Sequence, residues 1–324
     1  MPSGEPKISV IVPTYNRADA VRKCLDSLLN QTLDAGLYEI VVVDNNSSDD
    51  TELAVNEYMA RSEQSIHYVF EPKQGLHFAR HAGAKAAHSE ILAFTDDDAV
   101  CDERWLEELL AAFQEMNVGC AGGKIIINWD REPPSWIIPY EAVLGRLDYG
   151  PEPLILKSGQ LINGGNLAIQ RTILEDLGGF NPDQVGEVLI GDGEVGLCYK
   201  AHSAGIKIAW VPAALVWHCQ TVGKNATLLD LKRRFSNNGA AYAYSFYQRH
   251  HPTRLNLLGS AAVSFRAFFV QKLLILRNRL AKIREENYER ELSAAYLWTK
   301  ALWELKFLFR EQCRKNAAKQ NWWE

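Results

Sequence analysis

Four short apolar runs constrain this chain more than anything else in it: "KISVIVPTY", "YEIVVVD", "IHYVFEP" and "EILAF", all before residue 96. β-Branched and aromatic residues dominate them, as strands require. Helical spacing fills the gaps. From Arg17 onward, Val21, Cys24, Leu25, Leu28 and Leu29 recur at helical intervals, and Thr51 to Arg61 and "GLHFARHAGAKAAH" supply two more helical stretches. Apolar strands alternating with helices must be covered on both faces, which predicts an α/β domain around a parallel sheet.

Ligands of such sheets gather at the carboxyl ends of the strands. Three polar clusters stand at those ends: Thr14 to Arg17, Asp44 to Asn46, and Asp96 to Asp98. They are predicted to line one crevice. The third is the most demanding. Successive strand side chains alternate between faces, so three adjacent carboxylates cannot all serve one surface. Their repulsion and desolvation require a compensating positive charge. A hard divalent cation fits, since Mg2+ and Mn2+ prefer oxygen ligands. A solvated cluster at the start of the helix near Glu103, where acids are favoured, fits as well.

Downstream, "ERWLEELLAAFQEM" reads as a helix, "VGCAGGKIII" as a strand, and "NGGNLAIQRTILEDLGGF" as a glycine-rich turn, strand and helix. "GDGEVGLCYKAHSAG" reads as a loop entering a helix, and "KIAWVPAALVWH" as a further strand. Residues 129–158 hold five of the twelve prolines: Pro133, Pro134, Pro139, Pro151 and Pro153. That density predicts an irregular loop or lid, with Trp129, Trp136 and Tyr140 placed for stacking.

The 324 residues suffice for one large domain with an appendage. Their net charge of −5 conceals two regions. Residues 225–324 carry 18 Lys and Arg against 8 Asp and Glu, while residues 1–224 carry 17 against 32. The chain therefore divides into a domain over 1–224 and a basic, aromatic-rich helical region over 225–324. Such a tail suits an anionic membrane surface, or equally docking on the acidic part. "LLGSAAVSFRAFFVQKLLIL" is interrupted by Arg266 and Lys272, whereas a spanning helix needs about 20 mainly apolar residues. An interfacial or core-packing helix is expected. In "YLWTKALWELKFLF", Trp298, Leu302, Leu305 and Phe309 share one face, which Trp303 and Phe307 broaden. No recognition motif accompanies the positive charge, so no nucleic-acid partner is expected. Six scattered cysteines without a CxxC pair predict free thiols in a reducing compartment. "MPSGEPK" enters the first strand without an apolar leader. The expected location is cytoplasmic, with the tail offering peripheral contact at the inner face of the membrane.

"VIVPTYNR", "VVVDNNSSDDT", "GLHFARHAG", "FTDDDA", "GGNLAIQR" and "GDGEVGLCYKAHSAG" occur in this order. Together, over roughly residues 7–220, they resemble the inverting glycosyltransferases of family 2. That resemblance implies the GT-A fold, a Rossmann-like mixed sheet, with a nucleotide-diphospho-sugar donor, UDP-linked, bound together with Mg2+ or Mn2+. It sets Pro13, Thr14, Tyr15 and Arg17 beside the nucleotide, Asp44 at its base, and Arg80 as a further nucleotide holder. Each has a plainer use: Asp44 can cap the following turn, and Arg80 can pair with an acid. The family's D-x-D pattern falls on Asp96 and Asp98. Asp98 is the first metal ligand, Asp96 lies near the ribose or metal, and Asp97 stands between them.

Inversion needs a carboxylate to take the acceptor's proton on the face opposite the leaving diphosphate. The family's acidic motif corresponds to "GDGEVGL", which departs from it at Gly193 and Gly196. Glu194 is the expected base, with Asp192 a competitor; either can instead cap the helix. In "NGGNLAIQR", Gly164 and Gly165 let backbone approach a ligand closely, and Asn163 or Asn166 can bond sugar hydroxyls. His218, closing "ALVWH", is a candidate metal or diphosphate ligand, or a satisfied structural histidine. His88 and His202 read as helix-surface residues. The acceptor is a glycan, a lipid-linked sugar or a protein. The alternatives are a sugar nucleotidyltransferase, whose phosphate-binding loop "VPTYNR" lacks, and a nucleotide-sugar-binding module without activity.

Overall fold

The computed structural model describes residues 5–182, 184–185, 188–189, 191–281 and 287–323. In chain order it comprises β1 (Ile8–Thr14), α1 (Ala18–Leu29), β2 (Tyr38–Asp44), α2 (Thr51–Arg61), β3 (Ile66–Phe70), α3 (Leu76–Ala86), β4 (Ile91–Thr95), β5 (Ala99–Cys101), α4 (Trp105–Glu115) and β6 (Cys120–Trp129). There follow β7 (Leu154–Ile155), β8 (Asn166–Gln170), α5 (Arg171–Asp176), β9 (Gln184–Val185), β10 (Val188–Leu189), α6 (Gly193–Ser203) and β11 (Ile208–Gln220). The helices α7 (Val222–Asn225), α8 (Leu228–His250), α9 (Arg254–Leu280), α10 (Asn287–Phe309) and α11 (Glu311–Ala318) complete it.

The large sheet runs in the order β3, β2, β1, β4, β8, β6, β11, β5, with β7 beside β11. β3, β2, β1 and β4 are parallel, as their apolar sequences predict. β8 then runs antiparallel to both β4 and β6, and β5 antiparallel to β11. The sheet is therefore mixed, as the resemblance implies, and the parallel arrangement read from the first four strands holds for those strands. β8 and β5 are short and flanked by polar turns, so nothing in their own residues specifies direction.

Both faces are covered. α1, α2 and α4 deliver Val21, Leu25, Leu28, Val55, Trp105 and Leu109 to one apolar core. α3, α5 and α6 deliver Ala79, Ala84, Leu174, Leu197 and Ala201 to the other, with Phe180. β1 and β2 are buried along their whole length, which their unbroken apolar runs require. Strand order reverses between β1 and β4, so the loops after these strands flank a crevice at their carboxyl ends.

The proline-rich segment is ordered around a 3-10 helix, Ser135–Leu144. Its aromatic residues pack on protein. Trp129 Nε1–H donates to Glu141 Oε1 (2.9 Å), Trp136 stacks on Tyr288 (4.5 Å between ring centres) and Tyr140 meets Phe235 edge-on. The helical region seats this segment, so the loop is a joint between the two parts.

α8, α9 and α10 pack side by side. Glu291 of α10 takes Lys232 from α8 and both Lys272 and Arg279 from α9, so part of the tail's positive charge is consumed internally. Along α10, Trp303 and Phe307 are buried, whereas Trp298, Leu302 and Phe309 are exposed. The packed face is thus the one expected only to broaden the stripe, because Tyr247 of α8 stacks on Phe307. α9 packs on one side only. It is the one helix among the described residues with the length and apolar character to cross a membrane, yet little of it is buried. All six cysteines are free thiols.

Candidate active site

The cleft at the β1/β4 reversal has a volume of about 1090 Å3 and a wall that includes Pro13, Thr14, Tyr15, Arg17, Asp96 to Asp98 and His218. It answers the charge problem posed by the three acids. Arg17 Nη1 reaches Asp97 Oδ1 at 2.8 Å and Asp98 Oδ2 at 2.7 Å. Thr14 Oγ1–H donates to Asp97 Oδ2 at 2.8 Å. Burial pushes the Asp97 carboxyl up to about 6 against the opposing pull of Arg17. Asp97 is therefore enclosed between β1 and β4, and its two neighbours face the cleft.

Asp98 turns to His218 on β11. His218 Nε2 lies 3.0 Å from Asp98 Oδ1, while its Nδ1 lies 2.8 Å from the Leu144 carbonyl. Burial alone would raise the Asp98 carboxyl, but His218 and Arg17 hold it below the usual range. Ligand atoms of Asp96, Asp98 and His218 lie within 4.8 Å of one another, a spacing that fits a metal ion. Gly165 is needed there: a Cβ on it would sit 2.6 Å from Asp96 Oδ2.

Behind this group, Arg80 of α3 is buried over the Phe180 ring. Its guanidinium reaches Asp96 Oδ1 (3.9 Å) and Glu194 Oε2 (3.4 Å), linking α3, β4 and α6. Gly164 leaves it room, since a Cβ there would lie 2.3 Å from Nη2. The two glycines thus admit Arg80 and Asp96, close approaches that their sequence context alone does not reveal.

Glu194 and Asp192, two residues apart at the start of α6, have opposite surroundings. Asp192 is buried, accepting from Asn181 Nδ2 (2.7 Å) at one oxygen and from the Ser245 hydroxyl of α8 at the other. Burial raises its carboxyl. Glu194 stays partly open beside Arg80. Asp44 accepts from the Ser47 amide and from the Tyr68 hydroxyl, both at 2.8 Å, so its turn-capping use is realised. Asn166 is buried, bonded to Trp105, Lys124 and Ala214, and offers no group to a ligand. Asn163 accepts from the Gly165 amide.

Several residues escaped sequence reasoning. Gln220 Nε2, two positions past His218 on the same strand face, lies 3.2 Å from His218 Nε2; the alternation of β11 could have found it. Arg234, from the helical region, also lines the cleft, as do Lys224 and Lys23. Asn181 and Ser245 carried no signal.

The mixed sheet with its flanking helices is that of the GT-A glycosyltransferases. A mannosyltransferase from Pyrobaculum calidifontis, solved with GDP-Man and Mn2+, superposes with a TM-score of 0.60 at 20% identity, covering 96% of this chain and 89% of that one. Staphylococcus aureus TarS 1–349, solved with UDP, gives 0.52 at 15% identity, over 91% and 90%. Residues 9–178, more than half of the chain, match the model of glycosyl transferase family 2, and the chain belongs to that family. Glycosyltransferase AglE of Haloferax volcanii is 28% identical over 67% of this chain and 68% of its own length. The pre-mycofactocin glycosyltransferase of Mycobacterium tuberculosis is 27% identical over 65% of the chain, which spans 42% of that protein.

Proposed function

We propose that this glycosyltransferase is an inverting, metal-dependent enzyme that moves a sugar from a nucleoside-diphospho-sugar to an acceptor hydroxyl. The observation that carries this reading is the convergence of Asp96, Asp98 and His218 beside Arg80 and Glu194. Asp98 and His218 would hold the metal, with Asp96 completing the set. Two carboxylates and an imidazole suit Mn2+ better than Mg2+, which favours oxygen ligands. When bound, such an ion neutralises charge on the departing diphosphate.

The rest belongs to the protein. Thr14, Tyr15 and Arg17 border the nucleotide end of the cleft. Asp44 is buried with both oxygens bonded to Ser47 and Tyr68, so its part is to brace the turn beside the base and not to bond the base itself. UDP is the nucleotide we favour. The acceptor's hydroxyl oxygen bonds to the anomeric carbon while Glu194 takes its proton. The bond from that carbon to the diphosphate breaks, and its electron pair leaves with the nucleotide. Arg80 orients Glu194 through its contact with Oε2. Asp192, with both oxygens occupied, anchors the turn from which Glu194 projects. Residues 1–224 hold this machinery, and 225–324 wall the cleft through Arg234.

The helical region also supports work at a membrane surface, with a glycan or lipid-linked acceptor. On α9, Leu255, Leu258, Phe269, Leu273, Leu276 and Leu280 are exposed, and Arg266 and Arg277 lie among them. An apolar stripe carrying arginines suits an anionic bilayer interface. The decisive measurement is nucleotide release from a panel of UDP- and GDP-sugars with Mn2+, Mg2+ or chelator. Metal-dependent release that vanishes in Asp98→Ala supports the reading. Nucleotide binding without turnover under every acceptor would replace it with a binding module.

A further inference from the structure

A second cluster of ligand-type side chains lies at the opposite end of the sheet. Glu39 and His67 are the second residues of β2 and β3, while the transferase cleft borders the far end of β2 beyond Asp44. His88 follows α3. Five residue steps along β2 separate Glu39 from Asp44, about 16 Å at the usual rise. The cluster is thus independent of the site above.

Its geometry is specific. Glu39 is buried, and its Oε1 is held by the Ser9 hydroxyl and the His88 amide, both at 2.6 Å. Those donors aim Oε2 outward. His88 Nδ1 stands 2.8 Å from Oε2, and His67 Nε2 stands 3.1 Å from it. All three ligand atoms lie within 4.8 Å of one another. Ser65 Oγ, 2.9 Å from His67 Nε2, adds a nearby oxygen.

We propose that Glu39, His67 and His88 form a second metal site, for a borderline transition ion such as Zn2+, tying edge strand β3 to β2 and the segment after α3. Two imidazoles and one carboxylate are a known donor class for zinc, with a fourth position left to water or Ser65. Bonds of about 2.0–2.1 Å in a tetrahedron set neighbouring ligand atoms roughly 3.4 Å apart. The observed 2.8 and 3.1 Å separations need a few tenths of an ångström of widening. The histidines can supply it, since their side chains are 41% and 66% exposed. That exposure also leaves an entry path. Ser9 and the His88 amide orient the carboxylate from behind, as outer partners do in metal sites.

The test uses the full chain without a histidine tag, freed of metal and dialysed against Zn2+ at neutral pH, with bound zinc counted and thermal unfolding recorded. Asp98→Asn removes the cleft site from the count. In that background one zinc per chain is expected to remain, and to raise the melting temperature. His67→Asn with His88→Asn should abolish both effects, and His88→Asn alone should weaken binding. Ser9→Ala should weaken it about tenfold or more, as loss of an outer-shell partner does. Equal zinc counts and equal thermal shifts in the double variant and its parent, both folded by circular dichroism, would overturn the proposal. Failure here leaves the transferase reading untouched, because nucleotide release is read from other residues.

Discussion

His218 Nε2 stands 3.0 Å from Asp98 Oδ1, joining the end of β11 to the loop after β4 across 120 residues. The contact sets a lone histidine beside the acidic triplet and makes one donor set from two distant segments. His218→Ala is expected to weaken Mn2+ activation, and Asp98→Ala to reduce nucleotide release by at least about 10²–10³-fold, the usual cost of losing one preorganised charge-stabilising group. Release rates measured across a Mn2+ titration check both. Saturating Mn2+ restoring Asp98→Ala would argue against its role.

Glu194 and Asp192 should separate cleanly. Glu194→Gln is expected to lower kcat by ~10²–10⁴-fold with donor KM little changed, because it removes a proton acceptor and not a binding contact. Asp192→Asn should leave most activity. Near-wild-type rates in Glu194→Gln would exclude it as the base.

The link from Asp192 to α8 gives a stability prediction. Ser245→Ala leaves a buried carboxylate oxygen without its donor, at a cost of about 1–3 kcal/mol in urea unfolding. An unchanged midpoint would mean that the oxygen finds another partner.

Acid should destabilise the fold through α3. Burial lowers His77 to about 4 and His81 to about 3, and His81 Nε2 accepts from the Phe180 amide at 2.8 Å. Between these values and the ordinary histidine range, the unfolded chain binds more protons than the folded one. Stability therefore falls as pH drops from about 6.5, by up to ~1.4 kcal/mol per pH unit for each histidine. His81→Gln, whose amide oxygen can accept from Phe180, should flatten that slope in unfolding measured from pH 7 to 4.5. An equal slope would remove His81 from the account.

A bulkier residue at position 165 should act on Asp96. The added methyl of Gly165→Ala would lie 2.6 Å from Asp96 Oδ2, so the carboxylate must move. Metal affinity is expected to fall, read as a higher Mn2+ requirement, with melting temperature little altered.

The exposed stripe of α9 makes the last prediction. Vesicles rich in anionic lipid should co-sediment the protein at low salt, and replacing Leu258, Phe269 and Leu273 by Glu should abolish this. Binding that survives the triple change would assign the contact to another surface.

Local sequence determined the α/β character, the parallel half of the sheet, the apolar strands and the acidic strand ends. These follow from side-chain periodicity and size, which act over a few residues. The ordered motifs also carried the family, and placed Pro13, Thr14, Tyr15, Arg17 and Asp96 to Asp98 at the cleft wall. Tertiary structure alone decided the rest. It reversed β8 and β5, because strand direction depends on neighbours rather than on composition. It buried Asn166 and Asp192, two polar residues whose sequence context suited a ligand equally well. It set Arg17 between Asp97 and Asp98, and Ser245 of the tail against α6. It also turned His88, by sequence a helix-surface residue, toward Glu39. Each of these outcomes joins segments about 50 to 120 residues apart, and a hydrogen bond or ion pair depends on distances that no local pattern encodes.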